Sequence, residues 1–304
     1  MRPYRNQDCA AGLMFAAFGA GFAWKAFSYS LGTAGRMGPG YLPFWLGIML
    51  VLLGAAILVR SFFENVHERR IPAFNWSLLI LALAPWALSK AFQTLFDRSL
   101  VSSFTFQLGP PEFLSWLVLY LTCAAALACG SLLKAIAMVV LGLLFGLVGT
   151  DVNSGVVRFA FGIEALQYGI PPASVALGAL GIGLWAKLPR SRYRTVFLSA
   201  VVVAAIGIYW RLNSDTFFIC ATAAFGAAGY LWNRLNCVSA AWFFGLVYGP
   251  LVEENFRRSL LLSRGDFSSF ALRPWSAASL ALSMAICAAS LFMWKKRSRP
   301  LESA

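Results

Sequence analysis

Few residues of this sequence have types that could do chemistry, and they stand apart from one another. His67 is the only histidine, and it lies in a charged stretch between Glu64 and Arg70. The carboxylates near the apolar segments are scattered: Asp97, Glu112, Asp151, Glu164 and Asp215. General acid–base catalysis needs groups converging on one substrate, and a zinc site needs several ligands close together. The sequence also lacks a P-loop and a G-x-S-x-G elbow. We therefore expect no enzyme, no metal site and no cofactor.

One lysine lies inside an apolar run. Lys134 follows Gly130 and Ser131 by a few residues and precedes twelve apolar or glycine residues up to Gly146. An ionisable group within a membrane span is a functional candidate. The alternative is that its amine reaches the membrane interface along its own methylene chain.

The segment from Gly249 to Pro274 carries a second group of charges. Glu253 and Arg257 are four residues apart, and so are Glu254 and Arg258, with Asn255 between them. If this stretch is helical, both ion pairs can form on adjacent faces. Structural pairing and a functional role are both open for these residues.

A third segment, Leu31 to Phe44, reads LGTAGRMGPGYLPF. Its glycines and prolines exclude a regular helix and predict a compact turn between two apolar runs. Arg36 could neutralise an anion or a lipid headgroup, or cap the preceding helix. The candidate residues of this turn are Gly32, Thr33, Arg36, Gly38, Pro39 and Gly40.

The elements that must position these residues are membrane-spanning helices. Hydrophobic residues make up 60% of the 304 residues and charged residues only 12%, against about 45–50% and about 25% in soluble domains. This excludes a disordered chain, a collagen-like fibre and an ordinary soluble enzyme. The apolar runs are continuous, so we predict an all-α polytopic membrane protein rather than a barrel. There are about ten candidate spans: Cys9–Phe27, Pro43–Phe63, Trp76–Phe96, Glu112–Cys129, Leu132–Gly149, Pro171–Leu188, Thr195–Trp210, Thr216–Trp232, Cys237–Leu251 and Pro274–Trp294.

The net charge of +13 is distributed as in a membrane protein, which argues against nucleic acid as a partner. Basic clusters lie beside the spans, at Arg69–Arg70, at Lys187–Arg194 and after Trp294. By the positive-inside rule they place both termini in the cytoplasm. The stretch 252–273 disagrees, because its arginines would then lie outside; a re-entrant segment or an exception would explain it.

Small residues at four-residue spacing predict close helix packing. They occur as Gly12, Ala16 and Ala20, as Gly142 and Gly146, and as Gly245 and Gly249.

These motifs carry a resemblance to the tripartite tricarboxylate transporter family. The first 65 or so residues, with GTAGRMGPGYLPFWLG, resemble its small membrane subunit, which is TctB-like. The motifs LGPPEF, GSLLKAIAMVVLGLLFGLVGTD and RFAFGIEALQYGI resemble an internal part of the large subunit, which is TctA-like. YGPLVEENFRRSLLLSRGDFSSF and RPWSA resemble that subunit's C-terminal end. The resemblance predicts three regions: 1–103 TctB-like, 104–188 TctA-like and 189–304 TctA-like.

The resemblance implies a component of a carboxylate uptake system driven by an ion gradient, Na⁺ or H⁺, in the bacterial inner membrane. It implies a complete TctA-like subunit, a periplasmic TctC-like binding protein and the lipid bilayer as partners. The sequence departs from the family because the two subunits are joined and the P-G-x-G substrate loops of the large subunit are missing. We therefore expect an accessory or fused subunit; the alternatives are a decayed fusion or a non-transporting scaffold or regulatory protein. The substrate-binding residues stay unknown.

Overall fold

The computed structural model describes residues 3–63, 109–127, 131–151, 153–170 and 216–297. This part of the chain is mostly helical, as predicted. Its elements are α1 (Pro3–Ala26), β1 (Gly32–Thr33), β2 (Arg36–Met37), α2 (Tyr41–Phe63), α3 (Pro110–Leu127), α4 (Leu132–Gly146), β3 (Gly149–Thr150), β4 (Val157–Arg158), a 3-10 helix (Glu164–Tyr168), α5 (Thr216–Arg234), α6 (Ser239–Leu262), α7 (Ser269–Leu272) and α8 (Pro274–Arg297).

Two helices in the described ranges are long and apolar enough to cross a membrane, over Gln7–Ala26 and Tyr41–Phe62. Leu132–Gly146 and Pro274–Ser290 are shorter apolar helices. The predicted spans Trp76–Phe96, Pro171–Leu188 and Thr195–Trp210 lie outside the described residues, so the count of ten stays a prediction.

Helices α1 and α2 form an antiparallel hairpin that packs through glycine. A Cβ added at Gly12 would lie 2.8 Å from the Gly54 carbonyl oxygen. A Cβ added at Gly19 would lie 2.7 Å from the Gly47 carbonyl oxygen. Small residues let two helix backbones approach this closely. The predicted packing of Gly12, Ala16 and Ala20 is confirmed in part. Gly12 and Ala16 lie at the contact between the two helices, whereas Ala20 is exposed.

The core of the described structure lies where α4 packs along α6 in the same direction. An added Cβ at Gly142 would lie 2.9 Å from the Gly245 Cα, and one at Gly146 would lie 3.2 Å from the Gly249 Cα. Both predicted glycine pairs therefore face each other. Beside them the Trp242 side chain is fully buried.

The helix at the predicted span Cys237–Leu251 extends further along the chain than the prediction. Helix α6 runs from Ser239 through Pro250 to Leu262. The residues from 252 to 262, which the span count treated as a loop, therefore continue the helix. Arg257 and Arg258 consequently lie on the side of α6 rather than in a connection.

Candidate functional site

The GPG turn, Gly38–Pro39–Gly40, follows the β1–β2 hairpin and folds back on the end of α1. The Gly38 amide donates to the Leu31 carbonyl oxygen over 2.8 Å, and the Gly40 amide donates to the Ser30 carbonyl oxygen over 3.1 Å. An added Cβ at Gly38 would overlap the Ser30 carbonyl oxygen. A residue with a side chain cannot take this place without moving the backbone.

The β3–β4 hairpin positions the acid Asp151 and the base Arg158. The Asp151 amide donates to the Val156 carbonyl oxygen over 2.9 Å, which closes the turn. The Ser154 hydroxyl donates to the Asp151 carboxylate over 2.5 Å. Arg158 pairs with Gly149 in the hairpin register, so both charged side chains are set by one short hairpin.

Helix α6 positions Glu253 and Arg257 one turn apart. The Arg257 Nη2 donates to the Glu253 Oε1 over 2.8 Å, which is the i,i+4 pair that the spacing allows. Both side chains are buried, with 5% of Glu253 and 8% of Arg257 exposed.

These four side chains form one buried network, which we name the charge quartet: Asp151, Arg158, Glu253 and Arg257. Arg158 donates from Nη1 and Nη2 to the two Glu253 carboxylate oxygens, over 2.7 and 2.8 Å. This is the bidentate arrangement that gives an arginine–carboxylate pair its strength. Arg257 Nη1 donates to the two Asp151 carboxylate oxygens over 3.1 and 2.9 Å.

The charge quartet also holds the GPG turn. Arg158 Nη1 donates to the Pro39 carbonyl oxygen over 2.9 Å, and Arg257 Nη2 donates to the Gly38 carbonyl oxygen over 3.1 Å. The quartet therefore joins the N-terminal section of the chain to the hairpin and to α6. The quartet contacts the turn only through backbone oxygens, and the positions of these oxygens depend on the backbone conformation that the two glycines permit.

Electrostatics favour the charged state of this network. The two carboxylates and two guanidinium groups sum to zero. Burial alone would raise the pKa of Asp151, but hydrogen bonds from Ser154 and Arg257 and the charge of Arg158 lower it overall. Burial likewise opposes the charge on Arg158, yet the hydrogen bonds and charge of Glu253 raise its pKa. The Nε atoms of both arginines are buried without a hydrogen-bond partner among the described residues.

The quartet is suited to joining segments rather than to catalysis. Each carboxylate already accepts hydrogen bonds from an arginine, so neither is free to act as a base. Within the described ranges, no group of three or more His, Cys, Asp or Glu residues could hold a metal ion.

The other candidates of the third segment lie outside the quartet. The Arg36 side chain is exposed and pairs with no described side chain, while its amide donates to the Thr33 Oγ1 over 3.3 Å. Gly32 has a φ of +72°, which favours glycine at this corner of the hairpin. The structure places the carbonyl groups of Gly38 and Pro39, and not Arg36, against the buried charges.

The neighbouring residues of α6 face away from the quartet. Glu254 and Arg258 form their i,i+4 pair over 2.5 Å, with 37% and 62% of the side chains exposed. The Asn255 amide group donates to the Leu251 carbonyl oxygen over 2.8 Å.

Lys134 takes part in a second polar contact, at the other end of α4. Its amine pairs with Asp8 of α1 and donates to the Leu235 carbonyl oxygen over 2.9 Å. Nearby, the Asn236 amide group donates to the Gln7 side-chain oxygen over 2.9 Å. Lys134 is thus buried in a protein contact instead of reaching outward, and α1 is held to α4 and to the α5–α6 connection.

Three charged residues of these contacts were absent from the candidate site residues of the sequence: Asp8, Asp151 and Arg158. Asp151 follows an apolar run, and Arg158 lies between apolar residues in VVRF. These signals mark both residues as unusual, but only the fold brings them to α6.

Residues 89–184 match the Tripartite tricarboxylate transporter TctA family. We name this stretch, which is similar to that family, the TctA domain. Lys134, Asp151 and Arg158 fall within this TctA domain, whereas the GPG turn, Glu253 and Arg257 lie outside it. The match, together with the two apolar helices of the described ranges, indicates a membrane protein.

Three proteins of Agrobacterium vitis are similar to the chain. An uncharacterized 52.8 kDa protein in the TAR-I ttuC' 3' region is 38% identical over 137 residues, 45% of this chain and 27% of that protein. An uncharacterized protein in the TAR-II ttuC' 3' region is 35% identical over 136 residues, 45% of this chain and 56% of that protein. An uncharacterized 16.3 kDa protein in the TAR-I ttuC' 3' region is 36% identical over 76 residues, 25% of this chain and 48% of that protein.

The chain thus spans between about a quarter and about half the length of these relatives. No solved structure matches it.

Proposed function

We propose that this protein is a fused membrane subunit of a tripartite carboxylate uptake transporter, in which a TctB-like N-terminal section works together with a partial TctA-like section. The TctA domain supports the transporter class. The chain is also similar to two different proteins of one TAR-I region, of 52.8 and 16.3 kDa.

The observation that carries the proposal is the charge quartet. It buries four charges between the GPG turn, the TctA domain and α6. Removing charges from water is unfavourable unless the partners are fixed in good geometry. An N-terminal section that did not act with the TctA domain would have no need for such a contact.

The proposed role is accessory. The sequence lacks the P-G-x-G loops that the resemblance assigns to the substrate path, and the quartet leaves no carboxylate free. The subunit would therefore act beside a complete TctA-like subunit and a periplasmic TctC-like binding protein. It would lie in the inner membrane with both termini in the cytoplasm, and transport rather than catalysis would be its task, with Na⁺ or H⁺ as the coupling ion.

A non-transporting scaffold is the second candidate. It is favoured by the internal neutrality of the quartet, which fixes segments together without leaving a charged group for a solute.

The test is gradient-driven uptake of labelled citrate into vesicles. We expect uptake with a complete TctA-like subunit, a binding protein and this chain, and weaker uptake when this chain is omitted or carries Arg158→Ala. Glu254→Ala is the matched control, because it removes an exposed pair. Uptake that does not depend on this chain would refute the transport role and favour the non-transporting scaffold. Uptake by this chain with the binding protein alone would contradict the accessory role.

A further inference from the structure

A large apolar cavity opens between α1, the end of α4, the loop after β4 and the start of α5. Its volume is about 770 Å³, within the range of small-molecule sites. Apart from Lys25 and Cys220, its lining residues are apolar or glycine, among them Phe145, Phe159 and Phe161. The charge quartet contributes none of its side chains to this cavity.

The cavity extends along two helices, α1 and α5. Its lining residues run from Ala17 to Lys25 on α1 and from Phe217 to Phe225 on α5. Eight residues of helix correspond to about 12 Å, so both walls extend for about that depth. Such a slot suits a chain-like apolar group.

Lys25 gives the cavity one charged end. It lies in the last turn of α1, at the end of the apolar stretch Gln7–Ala26, where a lysine side chain can meet lipid headgroups. Its amine lies 5.9 Å from the centre of the Tyr29 ring, and among the described residues no carboxylate pairs with it. The charge is therefore available to an anion at the end of the apolar lining that α1 contributes.

We propose that this cavity binds one acyl chain of an anionic phospholipid, with the headgroup at Lys25. A small polycarboxylate does not fit this chemistry, since its several charges would meet one cation and apolar walls. The site is therefore distinct from a solute pathway, and it does not depend on the role proposed above.

Gly21 offers a direct way to fill the slot. It lines the cavity, and an added Cβ there meets no atom within 4 Å. A side chain at this position therefore has room for its Cβ, and we expect Gly21→Leu to take up part of the cavity. Ala20→Leu is the matched control, because Ala20 is exposed on the same helix and does not line the cavity.

The experiment is native mass spectrometry of the full chain in a neutral detergent, with phosphatidylglycerol, phosphatidylcholine or palmitate added. We expect the unmodified chain and Ala20→Leu to retain one phosphatidylglycerol in preference to phosphatidylcholine. Gly21→Leu should weaken retention by about tenfold or more, because its side chain displaces methylene groups of the acyl chain. Lys25→Gln should remove the preference for the anionic lipid, and Lys25→Arg should restore it.

Three results would overturn the proposal. The first is retention of phosphatidylglycerol no stronger than that of phosphatidylcholine, or no retention at all. The second is unchanged retention by Gly21→Leu. The third is binding of palmitate with exclusion of phosphatidylglycerol, which would assign the cavity to a free fatty acid.

Discussion

Two adjacent glutamates of α6 separate the contribution of the charge quartet from that of an ordinary surface pair. Glu253 is 5% exposed and accepts hydrogen bonds from both quartet arginines. Its removal leaves Arg158 and Arg257 with one carboxylate between them. A buried pair that loses one partner destabilises a protein by about 3–5 kcal/mol. Glu254 also pairs with an arginine four residues on, but that pair is exposed and contributes only about 0.5 kcal/mol.

We therefore expect Glu253→Ala to lower the free energy of unfolding by several times more than Glu254→Ala. The measurement is equilibrium unfolding of the full chain in mixed detergent micelles. The double variant Glu253→Ala/Arg158→Met should lose less stability than the sum of the single variants, because it restores neutrality. Equal losses for the two glutamates, or additive losses in the double variant, would refute the buried network as the source of stability.

The remaining predictions concern pH, packing and the exposed arginine. Because the pKa of Asp151 is lowered in the folded state, its stabilising effect is present above the ordinary aspartate pKa of about 4; it is lost as the pH falls through the lowered value. Asp151→Asn should accordingly reduce the acid-induced loss of unfolding free energy. Gly142→Ala should lower the free energy of unfolding by about 1–3 kcal/mol, because the added Cβ would overlap the Trp242 carbonyl oxygen. Gly21→Ala should not lower it, because its Cβ meets open space. Thermal unfolding of the two variants measures the difference. Arg36→Ala should leave unfolding nearly unchanged and alter assembly with partners more than substrate affinity, as pull-down and binding assays would show.

The local features of the fold could be predicted from the sequence. The apolar runs of α1 and α2 have the length and composition of spans, and the structure has helices there. Gly142 and Gly245 belong to four-residue stripes, which are a short-range signal of close helix packing. The i,i+4 spacing of Glu253 and Arg257 likewise needs only a helix to become an ion pair.

The quartet could not be predicted because it is made by distant parts of the chain. Asp151 and Arg257 are 106 residues apart, and Arg158 lies 119 residues from Pro39. Periodicity reports which face of a helix is apolar, but it does not report which hairpin lies against that face. The backbone oxygens of the GPG turn carry no side-chain signal, whereas Arg36 is the one charged residue of the segment and therefore the only one whose side chain predicts a charge interaction there.

The positions of the two polar contacts restrict how the N-terminal hairpin can move. Lys134 and Asp8 join α4 to the beginning of α1, and the charge quartet joins α6 to the GPG turn that leads into α2. Between these ends, glycine contacts hold α4 against α6. One buried and one partly buried polar contact at opposite ends of the helices oppose both sliding and rotation, because either motion would leave charged groups unpaired. The hairpin should therefore move with α4 and α6 as one rigid body, which favours a supporting element over the moving part of a transport cycle.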